Sequence, residues 1–398
     1  MKQEIKLTAI NPFAVAEQVL GKKVKWDSLE DPEETLSSVF NVPKKELFAH
    51  DSILINPMLS EKRELLSAEK AQARLKQFLD GKSAKRLSLK KSAISDRVAL
   101  KEISSKTMEA IFAKSTPAGT SNNTEWNPSN VVWLDKGDYF EDLAELTDPI
   151  QGGLADCYFI SALCSVAWSR PYAILNSTSP YGDEESPLHQ VFFYNEKGVR
   201  EFVEVDELCP CNPSTQRLIY ASSYDEGEIW PAVMEKAYAK WKTGNTTQKP
   251  DYSKLAWGDP VEACRQLIGG TPTYMFNNEM TARQISNVVR YNSLDRKTIN
   301  PMVAWTYSTQ PAGCDYASAH IVASHAYSIL GWDNDGSQYY VVLRNPWGTY
   351  PGVLDRLGGN YAGVINRLWN AFPYGQNGVF AMKVETFKKY FYGFGVVK

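Results

Sequence analysis

Residues 151–167 read Gln151-Gly-Gly-Leu-Ala-Asp-Cys157-Tyr-Phe-Ile-Ser-Ala-Leu-Cys-Ser-Val-Ala, a glycine-rich turn that runs directly into a long apolar stretch. The apolar residues from Cys157 to Trp168 predict a buried helix with a cysteine in its first turn. A helix N-terminus offers unpaired amides and the positive end of a dipole, and both favour a thiolate. Asp156 and Cys157 stand where such a helix is capped or opened. Gln151, turned back by Gly152 and Gly153, can aim its amide N–H at an oxyanion beside the sulfur. Taken alone, the stretch also fits inert core. A cysteine on an apolar helix is often no more than that, and Cys164 on the same helix is read so.

Two downstream stretches change the balance. Ser324-His325-Ala-Tyr-Ser-Ile-Leu-Gly-Trp332 and Tyr339-Tyr-Val-Val-Leu-Arg-Asn345-Pro-Trp347-Gly each set one polar residue at the end of a strand-like run. A turn at Asp333-Asn-Asp-Gly336 joins them, so the expected hairpin brings His325 and Asn345 side by side. An asparagine carbonyl that accepts from one imidazole nitrogen leaves the other free to take a thiol proton. Trp347 is placed to shield that bond from water. A lone histidine on an apolar strand would read as a satisfied core residue; its pairing with the other blocks is what argues otherwise. The chain has four histidines, His50, His189, His320 and His325, so candidates for a general base are few.

Other chemistries find little support. Cys209-Pro-Cys211 lacks the two-residue gap and the second pair of a structural zinc site. No Walker-type or dinucleotide-type glycine loop occurs, so nothing here is expected to cradle a nucleotide phosphate. No run of about 18 apolar residues is present, so no membrane span is expected.

QGGLADCYF, SHAYSILGW and LRNPWG resemble, in order and approximate spacing, the three active-site blocks of calpains, which are papain-like cysteine proteases with a Cys, His, Asn triad. A fourth block, Glu228-Ile-Trp-Pro-Ala-Val-Met-Glu-Lys-Ala-Tyr-Ala-Lys-Trp241, is similar to the calpain helix that follows the nucleophile by about seventy residues. The likeness runs from about Leu134 to Lys398. It implies an α+β, papain-like fold of two lobes, one helical and one of antiparallel β structure. Carried over by residue, it makes Cys157 the nucleophile, His325 the base and then acid, Asn345 the orienter and Gln151 an oxyanion donor beside the Cys157 amide. The segment Tyr252-Ser-Lys-Leu-Ala-Trp-Gly258 looks like a cleft segment whose glycine meets substrate backbone, so Gly258 joins Ser324 and Trp347 as expected substrate-binding residues. The chain departs from the family in having Tyr158 for Trp, Ala155 for Gly and Ser324 for Gly, changes that reshape a cleft without removing a catalytic group.

The resemblance also bears on metal. No cofactor is required for the chemistry. Asp148 and Glu228 match acidic ligands of the first calpain core site, where oxygen ligation of one Ca²⁺ is the expectation; surface or capping carboxylates are the equal alternative. The loop after Trp347 and the turn Gly375-Gln-Asn-Gly378 lack the carboxylates of the second site, which puts calcium dependence in question.

With 398 residues, 43% hydrophobic and 22% charged, the chain has room for two or three domains. Residues 1–115 carry a net charge of +5 and the rest –8. The expected layout is a mainly helical regulatory or targeting region at 1–115, protease lobe I at 116–265 and lobe II at 266–398. Residues 1–58 mix short apolar pieces with turn signals at Asn11-Pro12, Asp31-Pro32 and Asn56-Pro57. Helices are expected over 60–80 and 95–113, with an exposed basic link at 81–92 and a linker starting at Thr116. The charge asymmetry suggests contact between the front region and the protease rather than nucleic acid, since no aromatic residues interleave the basic link. The first twenty residues show no apolar signal core, and six scattered cysteines fit a reducing compartment, so a cytoplasmic location is the default expectation. The expected activity is hydrolysis of protein substrates by a calpain-like endopeptidase. The rivals are an acyltransferase or transglutaminase-like enzyme with the same triad, and a non-catalytic interaction module.

Overall fold

The computed structural model describes residues 11–20, 23–26, 32–40, 131–141, 143–183, 186–244, 246–361 and 372–398. The helices expected over 60–80 and 95–113, the basic link and the linker at Thr116 lie outside these residues.

Two short helices open the described chain. Helix α1 covers Pro12–Leu20 and α2 covers Pro32–Phe40. The Asn11-Pro12 pair, expected to be a turn, is a helix start. Asn11 Oδ1 accepts from the backbone N–H of Phe13 (3.1 Å) and Ala14 (3.2 Å), and proline in the first turn loses no helical hydrogen bond because that donor has no partner there. Helix α2 likewise begins on a proline, with Glu33 and Glu34 at the positive end of its dipole.

Helix α3, Cys157–Ser169, is buried from Cys157 to Trp168. A helix that is apolar on every side belongs at the centre of its domain, and α3 is held there by polar ties. Beside it lie a three-stranded antiparallel sheet, β1 (Thr178–Asp183), β2 (Ser186–Tyr194) and β3 (Arg200–Asp206), and helices α4 (Trp230–Lys242) and α5 (Pro260–Ile268). The helix expected in the block Glu228–Trp241 falls on α4.

The second half is built on an antiparallel sheet of β4 (Pro272–Phe276), β5 (Lys297–Thr306), β6 (Ala326–Asn334), β7 (Tyr339–Arg344), β8 (Val379–Lys383) and β9 (Phe391–Val397) in the order β8-β7-β6-β5-β9-β4. A short strand at Ser293–Leu294 also pairs with β5. All seven residues of β9 are buried, as a continuous apolar run requires of a strand covered on both faces. The mixture of helices and antiparallel sheets makes the fold α+β, as expected.

Three side chains fasten α3 to this sheet. Ser165 Oγ donates to Met302 O on β5 (2.8 Å), Ser328 Oγ on β6 donates to Ser161 O (2.7 Å), and Trp168 Nε1 donates to Leu330 O on β6 (2.6 Å). Buried hydroxyls and indoles are costly unless bonded, so these ties set the register of helix against sheet. The cysteine at the head of α3 is thereby fixed relative to the strand that His325 leads into.

Candidate active site

The expected hairpin forms. β6 and β7 pair antiparallel with Arg344 opposite Ser328, so His325 and Asn345 emerge together from one end. His325 Nε2 donates to Asn345 Oδ1 at 2.8 Å. The orientation of the asparagine amide is set independently, because Nδ2 donates to Tyr350 O (3.1 Å) and Oδ1 also accepts from Trp347 N (3.2 Å). With Nε2 committed as a donor, Nδ1 is the basic nitrogen. It is buried and has no hydrogen-bond partner among the described residues. The Trp347 ring lies 4.8 Å from the imidazole, between centroids, and covers the His–Asn bond. At Gly378 the backbone has φ +72°, and a Cβ there would come within 2.7 Å of Asn345 O, so glycine lets this turn approach closely enough for its carbonyl to accept from Asn345 N (3.0 Å).

His325 is fully buried, and desolvation pushes its protonation down to about 3 despite the opposing bond to Asn345. The ring is therefore neutral at ordinary pH. Its backbone N–H donates to Thr306 Oγ1 (3.0 Å), while Ser324 before it adopts φ +49° and donates to Tyr307 O (2.9 Å). Serine thus occupies a left-handed position that glycine takes at less cost, where glycine is the usual family residue.

Cys157 is the first residue of α3 and fully buried. Asp156 occupies the N-cap position and Cys157 opens the helix, although the Asp156 side chain makes no capping hydrogen bond. The carboxyl instead faces Glu235 of α4. Gln151 is fully buried as well, and its Nε2 donates to Leu154 O (2.7 Å) within the turn. Gly258 lies against Tyr158: a Cβ at this glycine would sit 2.4 Å from the tyrosine ring. Packing on the residue after the cysteine thus requires this glycine, apart from any approach of substrate.

These features meet in a sequence family. The profile described as calpain family cysteine protease matches residues 104–398. The chain belongs to the calpain family. A thiol protease of Porphyromonas gingivalis is 24% identical over 432 residues, covering 96% of this chain and 86% of that protein. The calpain-1 catalytic subunits of Bos taurus and Homo sapiens are each 26% identical, over 53% and 54% of this chain, which spans only 28% and 29% of their lengths. The chain is accordingly a calpain-like thiol protease, acting on protein.

Two further groups of residues connect to the His325–Asn345 pair. Asp148 and Glu228 come together as expected, and Asp225 joins them, with one carboxylate oxygen of each within 4.8 Å of the others. Asp225 was not singled out from the sequence, although it lies three residues before Glu228. Burial and the neighbouring Glu228 charge raise the Asp148 carboxyl to about 7. Its Oδ2 accepts from Trp230 Nε1 (3.0 Å) and Glu145 N (2.6 Å), and Glu228 Oε2 accepts from Ser223 Oγ (2.7 Å). An oxygen-only cluster of this kind fits a hard divalent cation such as Ca²⁺. Arg344, also missed in the sequence, ties this loop to Asn345: fully buried, it donates to Thr147 O (2.8 Å) and Pro149 O (3.0 Å) on either side of Asp148, and it precedes Asn345.

The second group is the N-terminal segment. Asn11 Nδ2 donates to Gln151 O (2.7 Å) and Trp347 O (3.2 Å), and Asn11 N donates to Gly152 O (3.2 Å). The Phe13 ring lies 6.0 Å from Trp347 and 5.5 Å from Tyr350, between centroids. Phe13, Val15, Ala16, Trp26 and Leu36 form one apolar cluster with Ala155, Val322, Trp347 and Tyr350, and Trp257 packs on its edge. Glu33 of α2 accepts from Tyr350 Oη (2.9 Å) and lies 3.2 Å from His320 Nε2.

Proposed function

We propose that the protein cleaves extended segments of protein through a Cys157, His325, Asn345 triad and that residues 11–40 hold this site closed. The carrying observation is the His325 Nε2–Asn345 Oδ1 bond under Trp347, with Cys157 at the head of the helix fastened to the same sheet. In the reaction, His325 Nδ1 takes the thiol proton and Sγ attacks the peptide carbonyl carbon. The oxyanion that forms is stabilised by the Cys157 backbone N–H and by the Gln151 side-chain amide, once that amide turns from Leu154 O. The imidazolium then protonates the leaving amine, and the acyl-enzyme is hydrolysed by a water that His325 activates. Asn345 holds the ring and its tautomer through both steps. Gly258, Ser324 and Trp347 line the path of the substrate.

Closure is supported by geometry. Cys157, His325 and Asn345 are fully buried, while Asn11 and Phe13 lie on residues that flank them. Chain 1–115 then acts as a regulatory region, ahead of protease lobes at 116–265 and 266–398. Asp148, Glu228 and Asp225 would hold one Ca²⁺. The ion would supply charge neutralisation on the loop that Arg344 ties to Asn345, not chemistry at the peptide bond.

Wild type and Cys157→Ala, each with Ca²⁺ and with chelator, test these points on an unfolded protein substrate. Cleavage by wild type and a loss of about 10⁶-fold in kcat in the variant are expected, as for removal of a nucleophile elsewhere. Faster cleavage with Ca²⁺ supports the metal assignment. Equal cleavage by both proteins overturns the triad.

A further inference from the structure

Asp156 and Glu235 are carboxyl groups at the foot of the nucleophile helix, and neither serves the chemistry described above. Asp156 is fully buried and Glu235 nearly so. Glu235 Oε2 accepts from Ala221 N (3.0 Å), but Oε1 and both oxygens of Asp156 find no N–H or O–H donor from any other group among the described residues. The two carboxyls lie within hydrogen-bonding reach of each other. Two carboxylates cannot face each other in a buried site, whereas a carboxylic acid donating to a carboxylate satisfies both. We propose that Asp156 and Glu235 share one proton, and that the resulting O–H···O bond positions the first turn of α3 so that the Cys157 thiol and amide meet the reacting carbonyl.

The surroundings favour a single proton and a single charge. Among the described residues, the ionisable groups that face the pair are Cys157 and Tyr158 on α3, Tyr220 beside the Ala221 amide, Tyr252 in the turn Tyr252–Leu255, and Cys209 across α4. Burial pushes the hydroxyls of Tyr158, Tyr220 and Tyr252 and the thiol of Cys209 upward, so those four are neutral. Lys236, next in sequence, turns away to Asp206 and to Leu208 O (2.7 Å). With no cation among the described groups that face the pair to balance two charges, burial raises both carboxyls, and one proton between them satisfies both. The consequence lies at the thiol. A second ionisation would set two negative charges one residue from Cys157, oppose its thiolate and push α3 away from α4.

The test uses the full chain as wild type, Glu235→Gln and Glu235→Ala. A glutamine amide donates to the Asp156 carboxylate with the same net charge and has no proton to lose; alanine offers no donor. The first measurement is unfolding in urea from pH 6 to pH 9.5. A carboxyl whose folded value is raised stabilises the protein at low pH and loses that contribution as pH rises through the folded value. Wild type is therefore expected to lose stability towards alkaline pH more steeply than Glu235→Gln. Equal slopes overturn the shared proton. The second is peptide cleavage, where Glu235→Ala is expected to lower kcat at least tenfold with little change in KM, and Glu235→Gln to restore most of it. Alanine and glutamine variants with equal kcat overturn the positioning role. The inference rests on the protease reading for its kinetic arm only. The urea arm needs no catalysis, so failure of the shared proton and failure of the protease reading give different results.

Discussion

At the start of α1, Asn11 uses both ends of its side chain. Its oxygen caps its own helix through Phe13 N and Ala14 N, and its nitrogen reaches across to Gln151 O and Trp347 O. At the start of α3, Asp156 holds the same position and does neither. Its carboxyl makes no cap and turns to Glu235. The contrast follows from what each helix start must present. A carboxylate folded over the first turn of α3 would cover the amides that an oxyanion needs and add negative charge beside the thiol, so stability from a cap, about 1 kcal/mol, is given up there. Helix α1 carries no chemistry, and the full cap is available to it.

Removing the ring that anchors the covering helix sharpens this contrast most. Phe13 is buried against Trp347, Tyr350 and Trp26, and its loss costs about 3 kcal/mol by analogy with other buried phenylalanines. If that energy goes into holding the cover closed, Phe13→Ala opens it roughly 100-fold more often. The rate of carboxamidomethylation at Cys157, read by mass spectrometry of its peptide, is expected to rise by that factor. An unchanged rate breaks the comparison, because the segment then does not guard the thiol.

Burial also sets the charge on His325. Its folded value, lowered to about 3 by burial, stands against an ordinary value of 6.5 in the unfolded chain. Above 6.5 neither state gains a proton. As pH falls from there towards 3, the unfolded chain takes up a proton that the folded site refuses, and stability is lost at up to about 1.4 kcal/mol per pH unit. Unfolding of wild type and His325→Gln from pH 7.5 to 4.5 is expected to show the steeper acid loss in wild type. Parallel curves would mean that the imidazole titrates freely and the site is wet.

Much of the site is legible in the sequence, for reasons that differ by residue. His325 and Asn345 can be paired because a hairpin turn separates two strand-like runs, and a strand places its end residues by register alone. Cys157 can be placed because a glycine turn meets an apolar helix. Asn11 is the exception: Asn-Pro is a turn signal and equally a cap with a first-turn proline behind it, and only the residues downstream distinguish the two. Here Phe13, Val15 and Ala16 supply an apolar helix face whose partners, Trp347 and Tyr350, lie more than 300 residues away. Long-range partners of this kind leave no local trace. Glu235 is hidden for a similar reason, since a glutamate in the helix Trp230–Lys242 reads as a solvent-facing residue until α3 is packed against it.

The finest division of the two helix starts is within Asn11 itself. Asn11→Asp keeps an oxygen for Phe13 N and Ala14 N, and a carboxylate caps a helix as well as an amide does. It removes the Nδ2 donor and turns an acceptor towards Gln151 O and Trp347 O, two buried carbonyls that then lose a partner and face a negative charge. Leaving buried acceptors unpaired costs about 1 to 3 kcal/mol, so Cys157 alkylation is expected to quicken about tenfold while helix content by circular dichroism stays level. Asn11→Ala should quicken alkylation to a similar degree and also lower helix content, because it loses cap and bridge together. If Asp behaves as wild type in both measurements, the bridge to Gln151 and Trp347 contributes nothing to closure, and the cover is held by the Phe13 cluster alone.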